Sequence, residues 1–143
     1  HVSHDDLLQF GLIPEFVGRL PVVSVLEPLD LETMVSILTT PKNAIAKQFQ
    51  RLFAMDGVEV EFTEGALRKI VALTVRKGTG ARGLRSVLEY TLLDVMYELP
   101  SMKGIARCIV DGGAIEGTSG VRLITGDGIQ MSLSSQSPET KSA

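Results

Sequence analysis

Two arginines carry the features that could act on a phosphate. Arg82 follows Gly80 and Ala81 where a long helix is expected to begin. Backbone N–H groups and the helix dipole favour an anion at such a start, and a guanidinium adds a fork of charge-assisted donors. A cation alone is unfavourable there, and an approaching phosphate would remove that objection. The residues leave two readings open: phosphate sensing, or an ordinary solvated or interdomain salt bridge. Arg85, three residues on and near the same face, has the same two readings. Arg19 lies between Gly18 and Leu20, just before Pro21. Gly18 permits a close backbone approach, and the flanking prolines stiffen the segment. Arg19 could therefore project rigidly into a neighbouring subunit and stabilise charge on a transferring phosphoryl group. Its other reading is a surface arginine that anchors a turn.

The rest of the chain argues against independent chemistry. It has no G-x-x-x-x-G-K-S/T loop to cradle phosphates, and no apolar strand ending in paired acids to hold magnesium. The histidines are His1 and His4, so no general-base pair or histidine metal cluster is available. Asp5 and Asp6 beside His4 read as a solvated terminus. Cys108 is the only cysteine, which excludes a disulfide or a cysteine zinc site within the chain and suggests a reducing compartment. A formal charge of −3 offers no basic excess for nucleic acid or an acidic membrane surface. No apolar run approaches the roughly 20 residues of a membrane span. The opening HVSHDDLLQF lacks a signal peptide's basic and apolar regions and reads as the interior of a longer chain.

These residues need elements to position them. In residues 1–26, Asp5 and Asp6 open a short helix that stops near Gly11, followed by LIPEFVGRLP and an extended VVSVL. Asp30 caps a helix carrying Met34, Ile37 and Leu38 inward. Thr40-Pro41 suggests the next helix start, with Ile45, Phe49, Leu52 and Phe53 at helical spacing. VEVEF at 58–62 alternates as a half-buried strand does. Thr63 caps a third helix with Leu67, Ile70, Val71 and Thr74 inward, and KGTG at 77–80 breaks it. A fourth helix runs from about Ala81 to Leu99, with Leu84, Leu88, Leu92, Val95 and Leu99 along its stripe. ARCIVD (106–111) and VRLIT (121–125) read as strands around a glycine-rich turn region. The expected fold is thus mixed α/β (α+β), about four helices on a sheet of two or three strands. Residues 126–143 read as a disordered tail.

At LIPEFVGRLPVV and KGTGARGLRSVLEYTLLDVMYELP the sequence resembles the ClpX family of AAA+ unfoldases, from about residue 5 to about 125. PKNAIAKQFQRLF and MYELPS add to the resemblance. It implies that residues 1–26 end a large ATPase domain and that 27–125 form the AAA+ small C-terminal domain. It implies that Arg19 is an arginine finger acting in trans on ATP in the adjacent subunit. Arg82 would be the sensor-2 arginine, reading ATP or ADP in cis, with Mg2+ present in the full-length protein.

The implied partners are neighbouring subunits of a homohexamer, with the ClpP peptidase and protein substrates engaged through parts absent here. No nucleic acid or membrane partner is expected. The implied setting is the bacterial cytoplasm, or the mitochondrial matrix or plastid stroma. The family's phosphate loop, Walker B acids, pore loops and peptidase-docking loop are missing, so this chain alone is expected neither to hydrolyse ATP nor to bind nucleotide tightly. The related HslU unfoldases also supply a small-domain arginine, but GLIPEFVGRLPVV and GARGLRS suit the ClpX family better. A free-standing adaptor domain remains the alternative of a different class, and the presence of both Arg19 and Arg82 weighs against it.

Overall fold

Apolar periodicity and local caps place most of the elements in the computed structural model, which describes residues 2–133. Ser3 and Asp6 form a reciprocal capping box that opens α1 (His4–Phe10). Pro14 occupies the first turn of α2 (Pro14–Val17). Residues 20–30 then run without regular structure, so VVSVL forms no strand despite its extended character. Asp30 accepts a hydrogen bond from the Thr33 N–H at 2.6 Å and starts α3 (Leu31–Thr39).

α4 (Ile45–Met55) begins later than the Thr40-Pro41 signal suggests. Thr40 instead ends α3 in a right-handed conformation, and Ala44 turns the chain out before α4. The Lys47 ammonium donates back to the carbonyls of Thr40 and Pro41 at 3.0 Å each, which secures this turn. Thr63 caps α5 (Glu64–Arg76) by accepting from the Ala66 N–H. α6 (Arg82–Glu98) follows, and a 3-10 turn at Leu99–Ser101 takes up Pro100.

Four strands form one sheet in the order β1 (Glu59–Phe62), β2 (Ile105–Val110), β3 (Val121–Thr125), β4 (Gln130–Leu133). β1 pairs with β2 in parallel, so α5 and α6 lie within the crossover. The other two pairs are antiparallel. The sheet therefore has one strand more than the sequence suggests. Part of the expected tail is β4, whose hairpin is closed by Thr125 N–H to the Ile129 carbonyl at 2.9 Å. The remaining tail residues, 134–143, lie outside the described residues. The glycine-rich segment between β2 and β3 also holds a short helix, α7 (Gly112–Glu116), capped by Asp111.

The core lies between the helices and one face of the sheet. The α6 stripe is buried as its spacing predicts, through Leu84, Leu88, Leu92, Val95 and Leu99. Phe49, Phe53, Ile70, Val60, Cys108 and Leu123 pack into the same cluster. Each large side chain here contributes about 1.5–3 kcal/mol by leaving water. Leu52 shares the helical spacing of Ile45, Phe49 and Phe53 on α4 but is 42% exposed. Two buried hydroxyls are satisfied locally, Thr74 to the Ile70 carbonyl and Thr91 to the Val87 carbonyl.

Candidate functional site

α5 ends at Arg76, and the chain must reverse within a few residues to begin α6. Gly80 makes this possible, with a φ of +57° that side-chain-bearing residues rarely adopt. Its carbonyl accepts from the Gly83 N–H at 3.0 Å. Ala81 is the N-cap and provides no side-chain oxygen for the first turn. Arg82 is thus the first residue of a 17-residue helix whose N-terminus lacks a side-chain cap, and it is exposed. The helix dipole leaves partial positive charge at this end, so Arg82 adds charge where an anion is favoured.

Arg19 is held differently. Val17 is 2% exposed and anchors α2. The Gly18 N–H donates to the Pro14 carbonyl, Arg19 N–H to Phe16, and Leu20 N–H to Val17, at 2.9, 3.1 and 3.1 Å. Gly18 has an ordinary right-handed conformation, with φ −64°, so the segment does not depend on glycine's freedom. The turn fixes the backbone of Arg19 and leaves its side chain exposed.

Arg19 and Arg82 differ from the other arginines. Neither makes a side-chain hydrogen bond or ion pair among the described residues. Arg68 bridges Glu32 and Glu64, Arg107 lies against Glu59 and Glu61, and Arg122 faces Asp111. Arg51 donates to the Lys42 carbonyl, and Arg76 also has a partner. Arg85 is engaged by Glu89 and Gln48, which gives it the salt-bridge role. No hydrogen bond or ion pair links Arg19 with Arg82, and they stand on separate segments.

Beside the first turns of α6 is a cavity of about 200 Å³, lined by Lys77, Thr79, Gly83, Ser86, Val87 and Tyr90. It is smaller than the roughly 300 Å³ at which small-molecule pockets begin. Among the described residues, no group of three or more His, Cys, Asp or Glu could hold a metal ion. No helix there is long and apolar enough to cross a membrane. The close approach of Thr79 to Gly83 was not foreseen from the sequence; the only sign is a glycine inside the first turn of a strongly patterned helix.

A model of the C-terminal, D2-small domain of ClpB protein matches residues 29–110. The chain belongs to that family. Its mixed helices and four-stranded sheet are those of an AAA+ C-terminal small domain. It is also 49% identical over 123 residues to the ATP-dependent Clp protease ATP-binding subunit ClpX 3 of Methylococcus capsulatus. That match takes in 86% of this chain and 28% of the relative, so the chain spans little more than a quarter of the curated protein it matches. The resemblance read from LIPEFVGRLPVV and KGTGARGLRSVLEYTLLDVMYELP is borne out, and the chain corresponds to a ClpX C-terminal portion.

Proposed function

We propose that this chain is the nucleotide-sensing, subunit-linking part of an ATP-driven protein unfoldase. Residues 1–26 end the large ATPase domain, and the small domain begins at about residue 27. Arg82 contacts the phosphates of nucleotide bound by its own subunit. Arg19 reaches nucleotide in the next subunit of a homohexamer. The observation that carries this reading is that these two arginines alone, among the described ones, are uncommitted to protein partners. One begins an uncapped helix and the other is fixed in a proline-flanked turn.

The residues present fit one side of a nucleotide rather than a whole site. Bound ATP supplies the phosphoryl group that is transferred to water. The chain supplies cationic donors: Arg82 from the small domain and Arg19 across a subunit boundary. Magnesium and the rest of the nucleotide would be held elsewhere in the full-length protein, since no acidic cluster for a metal exists among the described residues. Departure of the γ-phosphate would deprive both guanidiniums of an anionic partner. That change would act on the hinge through Arg82 and on the interface through Arg19, so one chemical event biases both. Unfolded substrate would pass to a ClpP peptidase through regions outside this chain. The bacterial relative favours the bacterial cytoplasm as the setting.

ATP turnover and nucleotide affinity in the assembled full-length protein test this reading. Arg19→Ala is expected to lower turnover by roughly a thousandfold, as loss of an arginine finger does. Arg82→Ala is expected to weaken nucleotide binding about tenfold, the scale of one lost charged hydrogen bond. Wild-type turnover and affinity in both variants would return the two arginines to surface roles.

A further inference from the structure

We propose that Thr79 is a positioning residue that fixes the direction in which Arg82 leaves α6. This rests on the reading of Arg82 as a phosphate ligand. Thr79 stands between Gly78 and Gly80, whose φ angles of +64° and +57° fold the link between α5 and α6 back on itself. Its hydroxyl donates toward the Thr74 carbonyl at 3.5 Å, on the α5 side. On the α6 side it occupies the space next to Gly83. A Cβ added to Gly83 would overlap Thr79 Oγ1, and would lie 2.9 Å from Thr74 Cγ2 and 3.0 Å from Thr79 Cβ.

Thr74 is fully buried and tied to the Ile70 carbonyl, so that side of the packing is fixed. Alanine is the better helix former, so a glycine at the second position of a long helix needs a packing reason. Thr79 provides it. The link is clamped between α5 and the first turn of α6, one residue from Arg82. A guanidinium that must meet a phosphate from across a domain hinge benefits from a backbone already fixed, because less ordering remains to be done on binding.

The test measures nucleotide affinity and thermal midpoint in the full-length protein for Thr79→Ala, Thr79→Ser, Gly83→Ala and the double variant Thr79→Ala/Gly83→Ala, with Arg82→Ala beside them. Thr79→Ala and Gly83→Ala are each expected to weaken ATP binding by about three- to tenfold. Thr79→Ser keeps the oxygen and should bind as wild type. The double variant removes the overlapping oxygen and should recover part of the Gly83→Ala loss, a coupling that independent sites would not show.

If Gly83→Ala does not fold, Thr79→Ala and Thr79→Ser decide the matter. Wild-type affinity in Thr79→Ala while Arg82→Ala binds weakly would overturn the positioning role and leave the function of Arg82 standing. Additive losses in the double variant would also overturn it. Unchanged affinity in Arg82→Ala would remove both readings together.

Discussion

Arg85 reaches from α6 to Gln48 on α4, its Nη1 donating to the amide oxygen at 2.9 Å. Its Nε donates to Glu89, one turn along α6, at 2.8 Å. Arg82, three residues earlier, has no such tie among the described residues. Two arginines with similar sequence surroundings are therefore held differently: one joins helices, and the other has no side-chain partner among the described residues.

Arg85→Ala should accordingly leave nucleotide affinity within about twofold of wild type while lowering stability by at most about 1 kcal/mol, because the Glu89 pair is solvent-exposed. Nucleotide titration and urea unfolding of the same sample check both parts. A tenfold loss of affinity would place Arg85 among the phosphate ligands.

Cys108 is fully buried in β2. Burial disfavours its thiolate and pushes the thiol from its ordinary 9.0 up to about 12. The folded thiol should resist alkylation at pH 8 and react only after unfolding. In the unfolded chain the thiol ionises first, so its contribution to stability is complete below pH 9.0 and falls away as pH rises toward about 12. Alkylation followed by mass spectrometry, with and without urea, checks the protection. Rapid labelling of the native protein would contradict the placement of β2 in the core.

Gly120 lies against the end of β4. A Cβ there would overlap the Leu133 carbonyl oxygen and lie 2.6 Å from the Leu133 carbonyl carbon. Backbone cannot swing aside as a side chain can, so Gly120→Ala should cost about 1–3 kcal/mol and loosen the β3–β4 pair. Hydrogen exchange at residues 121–124 and 130–133 reports on that pair. Full protection there in a variant of wild-type stability would mean that β4 is not docked as described.

Much of the fold was legible because its causes are local. Asp30 and Thr63 sit at the caps they were expected to form, and the apolar stripe of α6 is the inner face of that helix. Local signals mislead where distant groups decide. Thr40-Pro41 carries both local marks of a helix start, yet Lys47 secures a turn there and delays α4. α7 is only five residues long, and its apolar signal is little more than the buried pair Ala114 and Ile115. β4 has mostly exposed side chains, so alternation is faint; it forms because β3 offers it an edge. The position of Arg82 at a helix start was readable. The Arg85–Glu89 pair, four residues apart, was readable too, but the tie from Arg85 to Gln48 was not, since Gln48 lies 37 residues away.

The parallel pairing of β1 with β2 also bears on how the molecule assembles. Glu59 is matched to Arg107 and Phe62 to Val110, across the whole of α5 and α6. Closing a loop of that length costs about 3 kcal/mol in chain entropy, against about half as much for the β3–β4 hairpin. The hairpins of the C-terminal half can therefore form early, and β1 must wait for the crossover helices to collapse. On a ribosome, which releases the N-terminal side first, β1 stays unpaired until residues 107–110 have emerged. During that interval α4, which packs directly on β1, is its natural guard: Gln50 donates to the Val60 carbonyl at 3.1 Å and covers part of the open edge.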